Sequence, residues 1–163
     1  KSPSVLAATA KIIMAYDNGT LAGNKNIQKH ERTSHQDILE WLEGKDTEVL
    51  SACVEKAGKY NRNAKLFAPG TYAAFLYLFS RKNKTQAEEF FEKFSTGEGI
   101  SSKSDSSIYI LRQKLINMQS SKNMHFDVDH RYALLIKAWN LFRKKKEVKK
   151  LYWSTDEEFP KIK

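Results

Sequence analysis

Apolar positions recur along most of the chain with a helical period. Val5, Leu6, Thr9, Ile12, Ile13 and Tyr16 return at three- and four-residue spacing, and DNGT (17–20) ends that run. The polar stretch AGNKNIQKHERT comes next and reads as a loop. Ser34 then opens a second helix, with Asp37 placed as its capping partner and Ile38, Leu39, Trp41 and Leu42 as the apolar face. EGKD turns the chain, and Val49, Leu50, Cys53, Val54 and Ala57 share one face of a third helix. Pro69 suits the first turn of a fourth, PGTYAAFLYLFS, which is apolar on every side and so reads as a buried central helix.

TQAE (85–88) has the capping-box pattern, and Ala87, Phe90, Phe91 and Phe94 make an i, i+3, i+4, i+7 stripe that STGEG terminates. After a serine-rich loop, Asp105 is placed to cap a sixth helix buried through Ile108, Leu111, Leu115 and Met118. Asp129 is placed to cap a seventh that runs to about Lys146. The remainder, EVKKLYWSTDEEFPKIK, reads as extended, with room for one short strand. The expectation is an all-α protein: a single compact domain, residues 1–163, of about seven helices with a short extended C-terminal tail.

Charge changes this picture from a packing problem to a binding problem. The formal net charge is +9, and it is localised: residues 131–163 hold ten Lys/Arg against four Asp/Glu, whereas residues 34–60 hold three Lys against six acids. A localised positive field calls for an acidic partner, nucleic acid before anionic membrane or acidic protein. The one cysteine rules out an internal disulfide and accords with a reducing cytoplasm. No apolar run approaches the ~20 residues of a membrane span, and the opening KSPSVLAATAKIIMAY lacks the apolar core of a signal peptide. Since the chain opens at Lys1, it reads as an excised domain.

The positive charge concentrates in AWNLFRKKKEVKKLYW (138–153). At about 100° per residue, Leu134, Leu135, Ala138, Trp139, Leu141 and Phe142 fall on one arc of the seventh helix, while Lys137, Asn140, Arg143 and Lys144 gather on the other. The rings should anchor this segment and hold a cationic ridge at the surface. Lys137, Arg143, Lys144, Lys145, Lys146, Lys149 and Lys150 are the candidate phosphate contacts. Asn140 has the amide that pairs with an adenine edge, and Tyr152 has a ring that stacks on an unpaired base. Against this stands the plain alternative of a solvated, lysine-rich helix end that complements the helix dipole. Trp139, Phe142 and Trp153 read as packed.

Other features carry less. TSHQDILEWLEGKDTEVLSACVEKAGKY has the rhythm of a helix-turn-helix, but its net negative charge argues against a DNA-reading role. HFDVDH (125–130) gathers His125, Asp127, Asp129 and His130 without the spacing of a zinc or calcium site. His30 and His35 have no partner signature, and Cys53 sits on an apolar helix face. The acids of TDEEF (155–159) read as ion-paired or solvated. No Walker loop, nucleophile elbow or dinucleotide fingerprint is present, and no cofactor is expected.

TYAAFLYLFSRKNKTQAEEFFEKFSTGEGI (71–100), IYILRQKL (108–115), LLIKAWNLFRKKKEVKKLYW (134–153) and the opening SVLAATAKIIMAYDNGTL together resemble the C-terminal helical region of bacterial and phage ParB/sulfiredoxin-fold proteins. In that group the ParB-like domain lies upstream, and no segment here matches it, so no functional residue carries over. The resemblance implies a DNA-associated context. The expectation is therefore a non-enzymatic, cytoplasmic DNA-binding accessory module of a ParB-related protein, with DNA favoured over RNA and no membrane. The alternative is a protein-interaction or oligomerisation module.

Overall fold

The computed structural model describes residues 3–21, 34–120 and 128–163, with side chains from residue 5 onward. Among these residues it is all-α: α1 (Pro3–Asp17), α2 (His35–Glu43), α3 (Thr47–Asn63), α4 (Pro69–Ser80), α5 (Lys84–Thr96), α6 (Ser106–Ser120) and α7 (Val128–Arg143), with a 3-10 turn at Lys103–Asp105. The polar loop expected at 22–33, with its His30, and the His125–Asp127 part of HFDVDH lie outside the described residues. Two compact units result, residues 1–78 and 79–163.

In the first unit α1 packs on α2 and α3. Ser34 and Asp37 close the expected capping box: the Asp37 N–H donates to Ser34 Oγ at 3.1 Å, and the Ser34 N–H donates to Asp37 Oδ2 at 3.0 Å. These bonds hold the Asp37 carboxyl below its ordinary range, the backbone donor contributing most. Of the expected apolar face of α2 only Ile38 is buried, and Leu39 is exposed, as is Val49 on α3. Tyr72 sits between Tyr60 and Phe67, and its hydroxyl donates to the Ala64 carbonyl at 2.6 Å. Gly70 lets α4 approach α1: a Cβ there would lie 2.8 Å from that of Ala8.

The second unit is built on aromatic rings. Phe79 and Trp139 stack at 4.4 Å and 5°, and the edge of Phe90 meets Phe79, Phe91 and Trp139 at 5.1–5.8 Å. The α5 stripe of Ala87, Phe90, Phe91 and Phe94 is wholly buried, as its spacing predicts. Asn83, rather than the TQAE box, caps α5, its Oδ1 accepting from the Gln86 N–H at 2.8 Å. Asp105 does not cap α6 through the expected bond: its buried carboxylate accepts from Lys93 at 2.9 Å and from Ser102 at 3.1 Å. Burial alone would lower the Lys93 amine, but bonds to Glu89 and Asp105 leave it above the usual lysine value. Asp129 lies inside the first turn of α7, not before it.

Candidate functional site

α7 ends at Arg143, about one turn earlier than the charge pattern predicts. The reason is its C-terminal turn. The Lys146 N–H reaches back to the Leu141 carbonyl at 3.1 Å and the Lys145 N–H to that of Phe142 at 3.0 Å, a Schellman arrangement. It requires a left-handed residue, and the chain places Lys145 there with φ +54°. The turn throws Lys144, Lys145 and Lys146 off the helix into solvent.

Beyond the turn the chain forms an irregular strap rather than a strand. The Val148 N–H donates to Ser106 Oγ at 2.9 Å, and Lys114 Nζ donates to the Leu151 carbonyl at 2.5 Å. Leu151, Trp153 and Ile162 are buried. The Trp153 ring packs edge-on against His130 and Phe159, and its indole N–H donates to the Glu158 carbonyl at 3.2 Å. The aromatic anchors expected from the sequence therefore lie in the core or under the strap.

The polar face of α7 holds this strap, which runs beside the helix from Lys137 towards Arg143. Lys137 Nζ donates to the Tyr152 carbonyl at 2.7 Å and to Glu157 Oε1 at 2.9 Å. Asn140 donates through Nδ2 to the Lys161 carbonyl and accepts at Oδ1 from the Lys163 N–H, both at 2.8 Å. Arg143 reaches Gln86 Oε1 at 2.7 Å and the Lys163 carbonyl oxygen at 3.2 Å, with its guanidinium 5.6 Å from the centre of the Trp139 ring. The amide edge that would read adenine is thus spent on the chain's own backbone. Of the nine candidate residues, Lys137, Asn140 and Arg143 act as fasteners, not as outward contacts.

The other six are differently placed. Lys144, Lys145, Lys146, Lys149 and Lys150 are exposed, and among the described residues none of their amines takes part in a hydrogen bond or ion pair. Tyr152 is 62% exposed. Partial burial, and then the Lys150 charge, depress the Lys114 amine below the usual lysine value.

An open groove of about 500 Å3 lies between α7 and the strap. Leu141, Leu151, Phe159 and Pro160 give it apolar surface, and Lys144, Lys150, Lys161 and Lys163 bring positive charge, with Glu158 as an acidic member. Lys114, Lys161 and Lys163 are not among the residues expected from the sequence. The alternation of exposed Lys161, buried Ile162 and exposed Lys163 is the local signal that marks the last two. No family model, curated protein or solved structure matches the chain, so the resemblance to ParB-related proteins gains no support from those comparisons.

Proposed function

We propose that the protein is a nucleic-acid-binding module, with DNA as the favoured ligand, that grips phosphates through lysines 144–150. The observation that carries this reading is a short loop with five exposed lysines, unpaired among the described residues, fixed at one end by the α7 turn and at the other by buried Leu151 and Trp153. Lysines in a pinned loop neutralise a phosphate backbone and release its condensed counterions without first having to be ordered. In this reading the module has no activity of its own and serves as an accessory part of a ParB-related protein, a context that rests on the sequence resemblance.

The test is fluorescence anisotropy with labelled DNA across a salt series. Lys144, Lys146, Lys149 and Lys150 are replaced by Gln, which spares the fasteners and the left-handed Lys145. Binding should weaken steeply with salt, and the four substitutions should shallow the log–log slope by about three to four on duplex DNA, close to one per lost contact. A flat salt dependence, or an unchanged slope in the variant, would sink the reading.

A further inference from the structure

Resting on that reading, we infer that the groove takes an unpaired stretch of strand, with one base stacked on Tyr152 and the flanking phosphates on the surrounding lysines. Three features bear on this. Tyr152 is the most exposed large apolar side chain among the described residues, at 62%, in a segment whose neighbours Leu151 and Trp153 are buried. Its position on the strap is fixed because its own carbonyl accepts from Lys137. Finally, the Lys137 amine, ion-paired with Glu157, lies over the ring 5.4 Å from its centre and steadies it from that side.

The groove makes the ring useful. Its volume of about 500 Å3 falls within the ~300–1,000 Å3 range of small-molecule sites, and its mixture of apolar surface with a lysine rim suits a planar base joined to anionic phosphates. A duplex keeps its bases stacked inside, so an exposed ring beside its backbone has no base face to meet. An open strand offers a base face and a phosphate at every nucleotide. The lysines alone would hold either form; Tyr152 discriminates between them. Phe159 and Pro160 line the same groove and supply the apolar contact that a base edge needs.

The experiment compares a labelled oligothymidylate with a labelled duplex at one fixed salt concentration, using the whole protein and its Tyr152→Ala and Tyr152→Phe variants. Stacking contributes about 1–3 kcal/mol per base, so Tyr152→Ala should weaken single-strand binding by roughly 5- to 150-fold and leave duplex binding unchanged. Tyr152→Phe should keep most of the single-strand affinity. Circular dichroism checks that the variants are folded, which the ring's exposure favours. Equal losses on both ligands, or no loss on the oligothymidylate, would overturn the stacking site while leaving the lysine–phosphate reading intact. If neither ligand bound the unaltered protein, both proposals would fall.

Discussion

Lys145 shows how one residue can serve two ends that conflict. Its left-handed backbone (φ +54°) closes the α7 turn, yet a side chain in that region costs about 1–2 kcal/mol relative to the right-handed form. Lys145→Gly should relieve the strain, offset in part by the larger entropy of the unfolded chain. The expected gain is about 0.5–1 kcal/mol, read as a rise of a few degrees in Tm. The same variant loses one lysine, so its salt slope on DNA should be shallower by about one unit. Glu157 gives a second prediction at this scale. The Lys137 hydrogen bond, aided by the Ser154 N–H, holds its carboxyl below the ordinary glutamate value. A carboxylate depressed in the folded state stabilises above its unfolded pKa, and that contribution fades as pH falls through the folded pKa. The strap should therefore loosen in acid below about pH 4. Carbon-detected NMR titration of Glu157 should show the depression, and Lys137→Met should abolish it.

Individual elements differ in what holds them. α5 is fastened by four fully buried apolar side chains and the buried Ser95, whereas α2 is nine residues long and buries only Ile38. So short a helix is marginal by itself, and its capping box has to carry more of its stability. Ser34→Ala should cost about 0.5–2 kcal/mol, and hydrogen exchange should quicken in α2 well before α5 or α7 responds. The contrast also explains what is legible in the sequence. The Ser34–Asp37 box, Pro69 at the head of α4 and the Phe90–Phe94 stripe depend on neighbours within one or two turns, so local spacing reveals them. The role of Asn140 is not legible, because the groups that occupy its amide come from Lys161 and Lys163, some twenty residues onward and in no regular element. A helical wheel puts most of the buried rings of α7 on one face, but it groups Leu141 with them although that side chain is half-buried and lines the groove, and it cannot see that a strap covers part of the polar face. The early end of α7 is hidden for another reason: lysine rarely takes a left-handed turn.

Across the whole molecule the charge is uneven: residues 131–163 carry +6 of the net +9, whereas residues 34–60 carry −3. Such asymmetry acts at long range, steering a polyanion before contact. For the proposed DNA ligand, stopped-flow measurements should show the association rate falling steeply with ionic strength, with a weaker change in dissociation. At the heart of the basic region, partial burial, helped by the neighbouring Lys150 charge, makes the Lys114 amine shed its proton more readily than an ordinary lysine does. An anion arriving there would reverse that tendency. DNA binding in alkaline solution should then draw hydrogen ions out of the buffer, and the measured heat of association should depend on which buffer supplies them.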